Sequence, residues 1–258
     1  MPTTSQRDDE RTLVPYATVF FDCDSTLSTL EGIDELGREF RDQIVPLTEA
    51  AMRGEVALES VYGRRLAIIQ PTRDALDLVG RRYVETLVPG AIETVAALHR
   101  VGIDVHIVSG GLLPAVRHVA EALGVPQTRV HAVDLSFDAE GRYVGYDESS
   151  LLARQGGKPA LIAALGAVRR PSMLVGDGAT DLEARVAVDT FVAFAGVEAR
   201  EAVIAGADAV VRACSLLPVL ALALEGGGPY DADIQVLIAQ GRSLADPLAP
   251  PGPPVSRT

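Results

Sequence analysis

Two aspartates, Asp22 and Asp24, directly follow an apolar segment and have the types and spacing that could do chemistry. The segment before them, 17–21, is rich in β-branched and aromatic residues, which is typical of a buried strand in a parallel sheet. Open α/β sheets bind ligands just beyond the carboxyl ends of their strands. Because a buried carboxylate needs a metal or a donor to compensate it, the pair indicates a cation site with a nucleophile or an acid. The simpler alternative is that both residues only end the strand and cap a turn.

Three further polar segments lie where a strand is predicted to end or a helix to begin. Ser109-Gly110 and the pair Asp177/Asp181 each follow a predicted strand, and Lys158 begins a predicted helix. Lys158 is the only lysine, and every other basic residue is arginine. A position that needs a compact ammonium group would exclude arginine, although a single lysine could also arise by chance. Taken singly, Ser109-Gly110 could be an ordinary turn and Lys158 a solvated helix start. Asp177 and Asp181 could be a turn and an N-cap.

Composition limits the classes of function. The chain has 258 residues, 48% of them hydrophobic, and a net charge of −12. Its acidity argues against a nucleic-acid binder or a protein of anionic membrane surfaces, but a local positive charge could still bind a small anion. The two cysteines, Cys23 and Cys214, have no metal-ligand spacing, which favours a reducing compartment. The start of the chain shows no secretory signal, and the apolar segment 216–224 is too short to span a bilayer, so we expect a cytoplasmic protein.

The hydrophobic pattern changes twice along the chain. From Gly32 to Val84 it is helical, which predicts an insert of about four short helices with breaks at Pro46, Gly54 and Pro71. Strands and helices alternate from about residue 89, with a hairpin turn at 138–141, and this predicts a doubly wound parallel α/β sheet. We therefore divide the chain into a discontinuous core, an inserted helical cap and flexible termini with one helix near 234–238. The predicted bounds are 15–30 and 86–224 for the core, 31–85 for the cap, and 1–14 and 225–258 for the termini.

The predicted strand ends and helix start carry four polar segments: Asp22/Asp24, Ser109/Gly110, Lys158 and Asp177/Asp181. In order and residue type, these segments resemble the haloacid dehalogenase superfamily of aspartate-dependent phosphotransferases. The chain resembles one branch of this superfamily more narrowly, the phosphoserine phosphatases. The resemblance covers about residues 15–224 and implies a Rossmann-like core, a small helical-bundle cap, and the last step of serine biosynthesis. The stretches that carry the narrower resemblance are Asp22-Cys23-Asp24-Ser25-Thr26, Glu31-Gly32-Ile33-Asp34-Glu35-Leu36, Arg65-Leu66-Ala67-Ile68-Ile69-Gln70-Pro71 and Gly176-Asp177-Gly178-Ala179-Thr180-Asp181.

The resemblance implies a role for each charged residue of the core. Asp22 would attack phosphorus and form an aspartyl-phosphate, while Asp24 would protonate the leaving alkoxide and then deprotonate water. Mg²⁺ would be held by the carboxylates of Asp22 and Asp177 and by the backbone carbonyl of Asp24. Lys158 would neutralise the phosphate, and Asp181 would orient Lys158 or the loop backbone.

The same resemblance assigns the contacts to a small phosphorylated amino acid. The Ser109 hydroxyl and the Gly110 N–H would bind phosphate oxygens. Glu31 would pair with the substrate ammonium and Arg65 with its carboxylate. Met52 and Thr180 match positions that close over the substrate or contact it. Without the resemblance, Glu31 could be a helix cap and Arg65 part of a solvated face, and Arg65 is preferred over its neighbour Arg64 only by motif alignment.

Several alternatives remain open at this stage. A dehalogenase on the same fold would need neither Asp24 as an acid nor Asp177 for a phosphate-bound metal, so both residues count against it. A binding protein that had lost catalysis would be expected to lack one of the charged core residues. A phosphotransferase would share every residue named, and the sequence leaves monomer and homodimer equally open. Leu58, Leu112 and Pro159 differ from residues common in relatives, which makes the substrate less certain than the chemistry.

Overall fold

A six-stranded, all-parallel sheet forms the centre of the protein. The computed structural model describes residues 15–52 and 58–245, and the strand order in this sheet is β3-β2-β1-β6-β7-β8. All neighbouring strands in it are parallel, which confirms the predicted doubly wound α/β fold. Its strands are β1 (Thr18–Phe21), β2 (Asp104–Leu112), β3 (Val130–Val133), β6 (Ser172–Gly176), β7 (Thr190–Phe194) and β8 (Ala209–Val211).

Helices cover both faces of the sheet, as the apolar character of its strands requires. Along β1, Val19 and Phe21 point into one hydrophobic core and Phe20 into a second core on the other face. The helices that follow the cap are α5 (Ala91–Arg100), α6 (Leu113–Leu123), α7 (Gly157–Ala164), α8 (Ala179–Ala184), α9 (Glu201–Gly206), α10 (Leu217–Ala223) and α11 (Ala232–Leu244). Helices α5, α6, α10 and α11 contribute to the first core, and α7, α8 and α9 to the second.

Four α-helices follow β1, as predicted: α1 (Gly32–Leu36), α2 (Arg41–Met52), α3 (Leu58–Ile69) and α4 (Arg73–Glu85). The predicted break at Pro46 is wrong, because α2 continues across it. The break at Gly54 falls outside the described residues, and that at Pro71 separates α3 from α4.

The last helix of the predicted cap, α4, packs along α6 of the core as well as against α1 of the insert. Leu76, Val79 and Tyr83 are buried and belong to the first hydrophobic core. Their spacing predicts a helix with one apolar face, but it does not say which neighbour that face will meet.

Two elements complete the described chain. Strands β4 (Leu135–Phe137) and β5 (Tyr143–Tyr146) form the predicted hairpin as a separate two-stranded sheet that contacts α3. The prediction of a flexible terminus from residue 225 is wrong for 225–245, because α11 packs on α10 and buries Ile234 and Ile238. The predictions for 1–14 and 246–258 lie outside the described residues. None of the helices in the described part of the chain is both long and apolar enough to cross a bilayer.

Candidate active site

A cavity of about 410 Å³ lies at the carboxyl ends of β1, β2 and β6, beneath the inserted helices. Most of the residues singled out in the sequence line it, although they come from six separate segments. A neighbouring cavity of the same volume extends towards Ile44 of α2 and shares Glu31 and Asp34, but its wall includes none of Asp22, Asp24, Lys158 and Asp177. The wall of the first cavity includes Asp22, Asp24, Glu31, Tyr62, Arg65, Gly110, Lys158, Asp177, Thr180 and Arg200.

Asp22 is buried at the end of β1 and paired with Lys158. Lys158 Nζ lies 2.8 Å from Asp22 Oδ2 and 2.6 Å from Asp181 Oδ1. Burial opposes the charge of Lys158, but the two carboxylates outweigh it, so the pKa of its ammonium group is raised. Lys158 therefore stays charged beside the predicted nucleophile.

Asp181 is the second carboxylate that contacts Lys158. Its second oxygen accepts a hydrogen bond of 3.0 Å from the Gly178 N–H, so both of its oxygens are engaged. Gly176 makes room for this side chain, because a Cβ at that position would lie 2.2 Å from Asp181 Cγ. This geometry agrees with the prediction that Asp181 orients Lys158.

Asp177 contributes the second buried carboxylate at the cavity. Its Oδ1 accepts a 3.1 Å hydrogen bond from Thr26 Oγ1, and its Oδ2 is paired with Arg200. Within the described residues, Asp22, Asp177 and Asp181 each offer a carboxylate oxygen within 4.8 Å of one another. Hard oxygen donors this close suit a divalent cation such as Mg²⁺. Asp22 and Asp177 line the cavity, whereas Asp181 is fully buried behind it, so Asp22 and Asp177 are the carboxylates that fit such an ion.

Asp24 lies two residues beyond Asp22 and is half-buried at the same cavity. Burial, together with the negative charges of Asp22 and Glu31, raises the pKa of Asp24 to about 7. Two donors act in the opposite direction: Tyr83 Oη at 2.5 Å and the Gly32 N–H at 2.7 Å, both bonded to Oδ1. A carboxyl group with this pKa can give and take a proton near neutral pH, as acid–base catalysis requires.

Ser109 is fully buried within β2, where the pairing of β2 with β3 shifts register; the predicted end of this strand before Ser109 is wrong, because β2 continues to Leu112. Its hydroxyl oxygen accepts a hydrogen bond of 2.9 Å from the Gly111 N–H and lies 3.4 Å from Asp24 Oδ2, to which it donates. Gly110 lines the cavity itself. The two residues predicted to bind phosphate are therefore adjacent to the predicted acid.

The residues predicted to recognise an amino acid lie on the cap side of the cavity, and each is paired with a charged neighbour. Arg65 is bonded to Asp34 Oδ1. Glu31 accepts a 2.6 Å hydrogen bond from Ser25 Oγ, and its Oε1 lies 3.7 Å from Arg200 Nη2. Arg65 and not the exposed Arg64 faces the cavity, which agrees with the motif alignment.

Two predicted substrate contacts remain, Thr180 and Met52, and the structure describes the side chain of the first only. Thr180 lines the cavity at the start of α8. Met52 is the last residue of α2, and its side chain lies outside the described part of the chain.

Sequence reasoning did not single out Tyr62, Tyr83 or Arg200, which all contact residues of this site. Arg200, just before α9, pairs with both Asp177 and Glu31, yet no motif surrounds it. Tyr83 reaches Asp24 from α4, 59 positions along the chain. The only sequence signal for Tyr83 is a polar hydroxyl in the apolar face of a helix, where a buried tyrosine needs a hydrogen-bond partner.

Comparisons with known proteins agree with this geometry. Residues 16–189 match the haloacid dehalogenase-like hydrolases. Phosphoserine phosphatase of Bos taurus is 38% identical over 189 residues, which are 72% of this chain and 84% of that protein. The chloroplastic phosphoserine phosphatase of Arabidopsis thaliana is 38% identical over 197 residues, 74% of this chain and 66% of that protein.

Two solved structures are similar in fold and sequence. A phosphoserine phosphohydrolase-like protein from Francisella tularensis has a TM-score of 0.67 and 26% identity, covering 76% of this chain and 95% of that one. A phospho-aspartyl intermediate analogue of phosphoserine phosphatase has a TM-score of 0.63 and 25% identity, covering 79% of this chain and 97% of that one.

Proposed function

Since this chain belongs to the haloacid dehalogenase-like hydrolases, and among them to the phosphoserine phosphatases, we propose that it hydrolyses O-phosphoserine to serine and phosphate. The reaction would proceed through an aspartyl-phosphate on Asp22. The observation that carries this proposal is the position of Asp22: its carboxylate is held by Lys158 at the cavity floor, beside a carboxyl group with a pKa of about 7.

Asp22 is placed to act as the nucleophile because Lys158 offsets the repulsion between its carboxylate and an incoming phosphate. The same ammonium would stabilise charge on the equatorial oxygens during transfer. We propose that Asp22, Asp177 and the backbone carbonyl of Asp24 hold Mg²⁺, which when bound would neutralise further phosphate charge. We propose Mg²⁺ among the divalent cations because the family resemblance implies it. The cytoplasmic location is proposed from the sequence alone.

Asp24 is suited to both proton transfers. In its protonated form it would give its proton to the serine oxygen as that oxygen leaves phosphorus. The carboxylate so formed would then take a proton from the water that attacks the phosphorylated Asp22. Tyr83 and the Gly32 N–H hold Oδ1, so Oδ2 is the oxygen that faces the Ser109 hydroxyl and the predicted phosphate position.

Glu31 and Arg65 supply recognition of the amino-acid part. Each is paired, in the protein alone, with a group of the charge that phosphoserine would bring: the guanidinium of Arg200 contacts Glu31, and the carboxylate of Asp34 contacts Arg65. Phosphoserine would exchange these contacts for its own ammonium and carboxylate. The inserted helices would then act as a lid that keeps bulk water away while Asp22 is phosphorylated.

The test is phosphate release from L-phosphoserine, phosphoethanolamine and p-nitrophenyl phosphate, each with Mg²⁺ and with EDTA. We expect a strong preference for phosphoserine that is lost in EDTA. Arg65→Ala should raise KM for phosphoserine far more than for p-nitrophenyl phosphate, while the matched variant Arg64→Ala, at the exposed neighbouring position, should change neither. Equal effects of Arg65→Ala on both substrates would contradict the assignment of Arg65. Transfer of phosphate to added alcohols in place of water would contradict hydrolysis.

A further inference from the structure

Tyr62 connects the inserted helices to the segment of β2 that is predicted to bind phosphate. It lies on α3, and its hydroxyl donates a hydrogen bond of 3.1 Å to the carbonyl oxygen of Gly110. The proposed reaction assigns it no role. It nevertheless lines the cavity, one helical turn from Arg65.

The Gly110 carbonyl lies where the β2–β3 ladder is irregular. Val108 pairs with His131 and Leu112 with Val133, so three residues of β2 lie opposite a single residue of β3. A bulge of this kind disrupts the ladder locally and re-aims the residues within it. A carbonyl within the bulge has no partner in the ladder, so it bonds to a side chain or to water. The Tyr62 hydroxyl is such a partner, and it comes from the cap.

The bond from Tyr62 continues through the peptide unit into the active site. The carbonyl of Gly110 and the N–H of Gly111 belong to one peptide group, and that N–H donates to Ser109 Oγ at 2.9 Å. A donor on the carbonyl polarises the peptide and strengthens its N–H as a donor, as in other hydrogen-bonded chains. Since Ser109 Oγ accepts this bond, its own proton is directed elsewhere, here towards Asp24 Oδ2 at 3.4 Å.

The surroundings of Tyr62 fix its hydroxyl as a donor. Its ring packs against that of Tyr146 from the β4–β5 hairpin, with ring centroids 5.5 Å apart. Burial, with the nearby charge of Asp24, raises the pKa of Tyr62 well above its usual range, so the hydroxyl keeps its proton. The hairpin thus supports the ring while the hydroxyl reaches Gly110.

We propose that Tyr62 is a positioning residue: from the cap, it holds the Gly110–Gly111 peptide so that the Ser109 hydroxyl points its proton at a bound phosphate. The inference rests on the proposed function only in that this segment receives a phosphate group. Because the Tyr62 hydroxyl belongs to α3, the phosphate site is complete only when α3 lies over it. The affinity for phosphate therefore depends on the position of the cap.

The test is calorimetric titration of inorganic phosphate, with Mg²⁺ present, into the full-length protein and its variants. Tyr62→Phe keeps the ring and removes only the hydroxyl; we expect it to weaken phosphate binding roughly tenfold, which is about the effect of losing one hydrogen bond to a charged group, here the bond from Ser109 to the phosphate. Tyr146→Phe is the matched control, since it makes the same chemical change in the other ring of the pair and keeps the packing. We expect it to bind phosphate as the unmodified protein does.

A second comparison separates positioning from packing. Ser109→Ala removes the hydroxyl group that Tyr62 is proposed to orient. In this background, Tyr62→Phe should therefore weaken phosphate binding no further. Calorimetry reports the number of sites separately from affinity, so partial unfolding of a variant would not imitate weaker binding. Unchanged affinity in Tyr62→Phe, an equal loss in Tyr146→Phe, or an undiminished loss in the Ser109→Ala background would each overturn the proposal. Failure to hydrolyse phosphoserine would refute the proposed function and leave this comparison intact.

Discussion

Lys158→Met is the substitution whose consequence follows most directly from the geometry. It removes one ammonium group and leaves two carboxylates, Asp22 and Asp181, that it had contacted at 2.8 and 2.6 Å. Lys158 is 4% exposed and Asp181 is fully buried, so water cannot replace the lost partner. Breaking a buried ion pair costs about 3–5 kcal/mol, and we expect the free energy of unfolding to fall by that amount at pH 8 in EDTA.

The loss should depend on pH in a defined direction. Burial and the charge of Asp22 raise the pKa of Asp181, and Lys158 acts against them. Without Lys158 the folded-state pKa rises further, so the folded variant binds a proton more tightly than its unfolded chain. The penalty is then full above the folded pKa and disappears as pH falls towards the unfolded value of about 4. The gap between the two proteins should be largest at pH 8 and smaller at pH 5.5.

Urea unfolding of both proteins at pH 8 and pH 5.5, with EDTA, measures this gap. Adding Asp181→Asn to the variant removes one of the unpaired charges and should restore part of the stability at pH 8. A loss below about 1 kcal/mol, typical of an exposed pair, would refute the reasoning, and so would a loss that is the same at both pH values.

Three further substitutions test separate contacts. Tyr83→Phe removes a donor that lowers the pKa of Asp24, so the pH above which kcat/KM falls should move upward; an unmoved profile would mean that Asp24 is not the acid. Glu31→Gln should reduce the preference for phosphoserine over a phosphorylated hydroxy acid that lacks the ammonium group, and an undiminished preference would remove Glu31 from recognition. Gly80→Ala places a Cβ 2.2 Å from His118 Cδ2 where α4 meets α6, and should lower the free energy of unfolding by about 1–3 kcal/mol without changing kcat. Its control is Gly145→Ala, where a Cβ meets nothing within 4 Å, and equal losses in both variants would contradict the packing argument.

The sequence predicted the parts of the fold that depend on local patterns. The apolar runs before Asp22 and Asp177 are strands that end directly before these residues, and the run before Ser109 belongs to β2, which continues to Leu112. The three strands are parallel neighbours, so the predicted residues converge at one edge of the sheet. Strand–helix alternation and the helical period of the insert were likewise sufficient for the layer order and the number of inserted helices.

What the sequence could not supply were contacts between distant segments. The apolar face of α4 would suit a cap or a core equally well, and only the packing on α6 decides between them. The glycines at 226–228 suggested a mobile terminus, yet α11 follows them and buries Ile234. Arg200 and Tyr83 reach the site from positions with no motif, because a hydrogen bond across the fold leaves no pattern in the chain.

The central claim is that Asp22 becomes phosphorylated, and chemical trapping tests it most directly. The protein is mixed with phosphoserine and Mg²⁺, quenched in acid and reduced with borohydride, which converts an aspartyl-phosphate to homoserine. Peptide mass spectrometry then locates the modified residue. The account predicts reduction at Asp22 that requires phosphoserine and is absent in Asp22→Asn. Reduction at another carboxylate, or turnover of phosphoserine by Asp22→Asn at the unmodified rate, would contradict it.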